Sequence, residues 1–119
     1  MARENYIGGA WVPARTGATD AVLAPATGEP LEEVASSDAA DVDAAVEAAA
    51  DAFPAWAALT PRERSEKLHA VADAIDADME RLRELEVVNV GKPVGMIEFE
   101  MDLTVDNWRF FAGGARFLE

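Results

Sequence analysis

A chain of 119 residues is the size of one small domain, and a composition that is 50% hydrophobic is enough to fill a core if its elements pack. With 23 acidic against 10 basic residues the formal charge is -13, which repels a nucleic-acid backbone and removes DNA and RNA from the expected partners. The absence of cysteine excludes disulfides, thiolate metal sites and cysteine nucleophiles within these residues, and no uncharged run approaches the roughly 18–20 residues that span a bilayer.

The start, Met1-Ala2-Arg3-Glu4-Asn5, is not followed by an apolar stretch of signal-peptide length, so a soluble cytoplasmic protein without a membrane partner is expected. Lys67 and Lys92 are the only lysines, and acidic residues are spread through every helical stretch. Such a surface is similar to those of proteins from salt-rich cytoplasm, where screening relieves the repulsion among carboxylates.

Tyr6-Ile7-Gly8-Gly9-Ala10-Trp11-Val12 reads as strand, Gly-Gly turn, strand, and Pro13 ends the second strand because it cannot donate to a ladder. Ala21-Val22-Leu23 and residues 30–35 flank Pro25-Ala26-Thr27-Gly28-Glu29, whose proline and late glycine suit a tight turn, so a second hairpin is predicted. From Ser37 the period changes to three and four residues. Val42, Ala45, Val46, Ala49, Phe53 and Trp56 form the apolar stripe of a helix, with Asp38 as its cap and Pro54 as its end.

Thr60-Pro61-Arg62-Glu63 has a capping hydroxyl, a proline at the first helical position and a glutamate three residues after the cap, which starts a new helix. Leu68, Val71, Ala72, Ile75, Met79, Leu82 and Leu85 continue one stripe with a bend near Asp76 to Asp78, until Gly91 and Pro93 stop it. Residues 96–118 distribute Ile97, Phe99, Met101, Leu103, Val105, Trp108, Phe110, Phe111 and Leu118 around most of a helix, a pattern that calls for burial on several sides. No internal repeat, low-complexity linker or domain boundary stands out. The fold class is therefore α+β, mostly helical, with N-terminal β-hairpins followed by three to four amphipathic helices.

Ser65, His69 and Asp73 share one helix face, but neighbours on one face lack an oxyanion hole, and working triads are assembled from separate elements. His69 and Asp73 alone make at most a weak metal site. The pairs Gly8-Gly9 and Gly113-Gly114 belong to neither G-x-x-x-x-G-K-[ST] nor G-x-G-x-x-G and read as a turn and as helix packing. Trp11, Trp56 and Trp108 read as core or interface residues rather than a ligand cage. Glu98, Glu100 and Asp102 beside Phe99 and Met101 read first as a solvated face. The alternative is a carboxylate set against an apolar wall, which suits a cationic amine on an alkyl chain.

Taken in order, these elements resemble the start of the NAD(P)-dependent aldehyde dehydrogenase superfamily along essentially the whole chain. Residues 6–12 resemble its opening Y-I-[DNG]-G-x-W, Pro25-Ala26-Thr27-Gly28-Glu29 its N-P-A-T-G-E turn, and residues 41–49 with Phe53 and Trp56 its D-V-D-x-A-V-x-A-A…F…W helix. Pro61-Arg62-Glu63-Arg64 with Leu68 is similar to the next helix start. Glu84-Leu85-Glu86 with Asn89-Val90-Gly91-Lys92-Pro93 resembles E-x-E-x-x-[DN]-x-G-K-P, and Arg109-Phe110-Phe111-Ala112-Gly113-Gly114-Ala115 resembles R-[FY]-[FY]-A-G-x-A.

The resemblance implies that residues 1–119 are the N-terminal segment of such an enzyme, a fragment of its cofactor-binding domain. It implies a family cofactor, NAD(P)+, that this segment is not expected to bind alone. It also implies a catalytic cysteine that attacks the aldehyde, hydride transfer to the nicotinamide, and a glutamate that activates water, all at positions beyond Glu119, so catalytic residues here are none. The isolated chain is expected to be inactive. Its expected partners are the remainder of the enzyme or a full-length homologue, within a homo-oligomer.

The wording around Gly91 and Arg109 is closest to the aminoaldehyde and betaine aldehyde branch. There an acidic residue after G-K-P lines the substrate entrance, which implies Glu100, with Phe99 beside it and Leu103 where some of these enzymes carry a second acid. A structural monovalent cation is implied at the Leu23 carbonyl and Asn89, where Asn brings an oxygen without the family's charge. Ala24 replaces the usual Asn before Pro25. Two alternatives of other classes are a stand-alone acidic helical interaction module and a pseudoenzyme regulator that inserts into full-length oligomers.

Overall fold

The computed structural model describes residues 2–118, and their contacts divide the chain after Ala57 into two units. No linker composition marks the division, because Ala58, Leu59 and Thr60 are all that separates the end of one helix from the start of the next.

In the first unit, β1 (Asn5–Ile7) and β2 (Ala10–Val12) pair antiparallel around Gly8 and Gly9, both at positive φ, the conformation that a two-residue hairpin turn demands. Tyr6 faces Trp11 across the ladder with ring centroids 5.0 Å apart. β3 (Thr19–Leu23) and β4 (Pro30–Ala35) form the second hairpin, and β3 begins two residues earlier than its apolar stretch indicated. Its turn is closed by Gly28 N–H donating to the Ala24 carbonyl at 2.7 Å. One pairing was not legible in the sequence: Arg3 bridges in parallel to Val34, with Arg3 N–H donating to the Glu33 carbonyl and Ala35 N–H to the Arg3 carbonyl, both at 2.8 Å.

Helix α1 (Ala39–Ala57) starts where the Asp38 cap predicts, since Asp38 Oδ1 accepts from the N–H of Ala40 and of Asp41. It does not end at Pro54, which lies inside it. A proline in the last turn removes a single hydrogen bond, and three further residues complete the turn. Asp41 is buried, and Ala44 and Ala48 are half-buried, with Ala48 Cβ 3.8 Å from where a side chain on Gly8 would begin. The stripe of Val42, Val46, Phe53 and Trp56 is exposed, and Phe53 retains 65% of its accessibility.

In the second unit the predicted bend becomes a break at Asp78, between α2 (Pro61–Ala77) and α3 (Met79–Val90). The reciprocal box at the start of α2 is complete, with Glu63 N–H donating to Thr60 Oγ1 and Thr60 N–H donating to Glu63 Oε2 at 2.8 Å. Gly91, at φ 72°, closes α3 in the left-handed conformation and turns the chain into α4 (Val94–Gly114), followed by one 3-10 turn. α2 packs on α4, and the core holds Ser65, Ala72, Ile97, Val105, Ala112 and Ala115. Small side chains at the contact let the two backbones approach closely. The association is reinforced at its edge by Arg109, whose guanidinium reaches Asp76 at 2.9 Å and Asp73 at 3.4 Å.

Among the described residues, no helix is long and apolar enough to cross a membrane.

Candidate functional site

Helix α4 presents two apolar faces. At 100° per residue, Ile97, Met101, Val105 and Ala112 fall on one side, and these are the residues buried or half-buried in the unit. Met96, Phe99, Leu103 and Phe110 fall on the opposite side and stand in the open. A helix apolar on two sides is thus half satisfied by its own unit, and the second face that its pattern would bury stays open. Phe99 is 72% exposed and Leu103, one turn on, 43%.

Glu100 points elsewhere. Gly91 reverses the chain and Pro93 starts α4, so Lys92 between them extends its ammonium over the last turns of α3 and the first turns of α4. Lys92 Nζ lies 2.5 Å from Glu100 Oε2 and 2.7 Å from Glu86 Oε1. Hydrogen bonds to Glu100 and then Glu86 raise the Lys92 pKa above its ordinary value, so the ammonium keeps its charge throughout the physiological range. The three residues of the implied entrance therefore lie on one helix, but Phe99 and Leu103 are free whereas Glu100 is held by a cation. Sequence reasoning missed Lys92, since partners six residues before it and eight after follow no helical repeat.

Of the wider acidic cluster, Asp102 pairs with Arg83 at 3.3 Å. Glu98 turns to a cleft of about 410 Å³ between α3 and α4, lined also by Glu80, Arg83, Glu84, Val87, Val88, Val94 and Ile97.

The other expected sites divide plainly. Ser65 is buried, His69 is exposed, and Asp73 is engaged with Arg109, so the three do not form a triad. Leu23, at the last position of β3 beside a register shift, and Asn89, in the last turn of α3, belong to different units. Trp11, Trp56 and Trp108 are all exposed, so none of them fills a core within its unit. Gly8 and Gly9 make the hairpin turn, and Gly113 and Gly114 are helical. A β-carbon at Gly9, Gly113 or Gly114 would meet nothing within 4 Å, and one at Gly8 would meet Ala48 Cβ at 3.8 Å, so neither pair marks a close backbone approach.

A family model for the aldehyde dehydrogenase family matches residues 11–119. Acetaldehyde dehydrogenase 2 of Cupriavidus necator is 43% identical over 114 residues, which is 95% of this chain and 22% of that enzyme. The crystal structure of PnpE in complex with nicotinamide adenine dinucleotide superposes with a TM-score of 0.94 at 39% identity, over 100% of this chain and 25% of PnpE. A point mutant of betaine aldehyde dehydrogenase from Staphylococcus aureus, in complex with NAD+, gives a TM-score of 0.91 at 30% identity, over 97% of this chain and 24% of the other. The chain belongs to the aldehyde dehydrogenase family. It spans about a fifth to a quarter of the length of these relatives.

Proposed function

We propose that this chain serves as the N-terminal segment of an enzyme that oxidises an aldehyde to the carboxylic acid with NAD(P)+. The observation that carries this reading is the likeness over the whole chain to a relative solved with bound dinucleotide. In such an enzyme the bound cofactor would take a hydride from the aldehyde carbon while water supplied the second oxygen and two protons were released, so that the substrate gives up the two electrons that the cofactor's reduction takes. With no cysteine in the sequence, these residues bring no thiol nucleophile to that step.

Their proposed part is structural and selective. Two helices carry open apolar faces, Val42 to Trp56 on α1 and Met96 to Phe110 on α4, and such faces suit packing against the remainder of a larger, homo-oligomeric enzyme in the cytoplasm. Phe99 and Leu103 suit the wall of a substrate entrance. An aminoaldehyde or betaine aldehyde would need a carboxylate at that entrance, and Glu100 is the residue to which the resemblance assigns it.

The test compares the purified chain with the same segment joined to its cofactor-binding and catalytic complement, following NAD(P)H formation with a panel of aldehydes. Turnover only in the joined protein is expected. Turnover by the 119 residues alone, or none in the joined enzyme, would refute the proposal.

A further inference from the structure

We infer that Lys92 is a specificity-determining residue that holds Glu100 away from the substrate, so that the entrance favours uncharged aldehydes over those bearing an ammonium group. The inference rests on the reading of α4 as the border of the substrate entrance. Its own support is the geometry of the ion pairs.

Phe99 and Leu103 point outward from α4 on the face opposite its buried side, and both are hydrocarbon. Glu100 lies between that open face and the buried one, and its carboxylate is tied to Lys92 Nζ at 2.5 Å. A second carboxylate, Glu86 Oε1 at 2.7 Å, holds the same ammonium from α3, so Lys92 is fixed from two sides and cannot swing away without breaking both pairs. An ammonium-bearing substrate would have to displace a cation already in place, and that cation competes at no translational cost because it is part of the chain. The cluster of Glu86, Lys92 and Glu100 sums to one negative charge, shared with Glu86 on α3. Asp106 stands on the same open face of α4 beyond Leu103, and it acts alike whether Lys92 is present or not.

The arrangement makes Lys92 a positioning residue, acting on substrate choice through Glu100. In the intact enzyme that contains this segment, the measured quantity is the ratio of kcat/KM for 4-aminobutanal to that for butanal, two aldehydes of matched chain length. Lys92→Met removes the internal cation and leaves Glu100 in place. The ratio is expected to rise by about threefold to fivefold, the range that a partly exposed charge pair supports, and to fall back as salt is added.

Glu100→Gln in the otherwise unaltered enzyme is expected to change the ratio little, because its carboxylate is already engaged by Lys92. In the Lys92→Met background it is expected to abolish the gain. Lys92→Arg, which keeps the cation, is expected to keep the original ratio. A marked fall in the ratio for Glu100→Gln alone would overturn the inference, because Glu100 would then already be serving the substrate's ammonium. An equal loss on both aldehydes in Lys92→Met, restored by Lys92→Arg, would also overturn it, leaving Lys92 a purely structural role. Absence of turnover with either aldehyde in the unaltered enzyme and across the wider panel would instead remove the proposed function itself.

Discussion

The carboxylate of Asp41 accepts a hydrogen bond from the backbone N–H of Arg15 at 3.0 Å, joining the segment after the first hairpin to the first turn of α1 across 26 residues of chain. Its other oxygen accepts from Asp38 N–H, also at 3.0 Å, while Asp38 Oδ1 accepts from Asp41 N–H, so the two acids cap the helix reciprocally. Asp41 is 3% exposed, and its partners are backbone donors rather than a cation.

Replacing Asp41 should therefore cost more than replacing any other acid on α1. Asp41→Ala leaves the N–H groups of Arg15 and Asp38 without their acceptors, at about 1–3 kcal/mol. Asp41→Asn retains one acceptor oxygen and should lose less. Urea unfolding followed by circular dichroism measures both, and unfolding midpoints equal to the unaltered protein would contradict the assignment.

Gly91 should tolerate asparagine better than alanine. At φ 72° and ψ 25° a β-carbon is strained, so Gly91→Ala should destabilise by about 1–2 kcal/mol, whereas Asn adopts this conformation more readily. The same unfolding experiment compares the pair. A Gly91→Ala protein as stable as Gly91→Asn would show that this turn does not depend on the left-handed geometry.

The response to pH has two limbs of opposite sign. The Thr60 hydroxyl, followed by the Thr60 backbone N–H, holds the Glu63 pKa below its ordinary value, and Arg81 does the same for Asp78. Both groups bind protons more weakly folded than unfolded, so their contribution is complete above the ordinary carboxylate range and is lost as pH falls through the lowered values. Lys92 behaves in reverse: its contribution is complete below its ordinary pKa and is lost as pH rises through the raised one. A thermal-unfolding profile against pH should show both limbs. Thr60→Ala should flatten the acid limb, and an acid limb of undiminished size in that variant would exclude Glu63 as its source.

With a formal charge of -13, the folded state concentrates mutual repulsion that the unfolded chain spreads out. The unfolding temperature should rise between low and molar potassium chloride, because screening weakens that repulsion more than it weakens short ion pairs such as Arg62 with Glu66 at 2.7 Å. Calorimetry at the two salt levels is sufficient. A flat or falling unfolding temperature would mean that the ion pairs outweigh the net charge.

Features set by near neighbours were legible in the sequence. The Gly8-Gly9 turn, the Thr60 to Glu63 box, the stop at Gly91 and the ordered motifs that identify the family each depend on residues a few positions apart, where backbone conformation and short hydrogen bonds decide the outcome. What required the tertiary structure was the choice among surfaces and partners that sequence leaves equivalent. Periodicity revealed a stripe on α1, yet the structure buries Asp41 and leaves Phe53 open. It showed α4 apolar around most of its circumference without distinguishing the Val105 side from the Phe99 side. Lys92 had acids within reach on both flanks. Only the reversal at Gly91, which brings the end of α3 beside the start of α4, selects Glu86 and Glu100 together, because an ion pair forms where the fold makes two charges meet and not at a spacing in the chain.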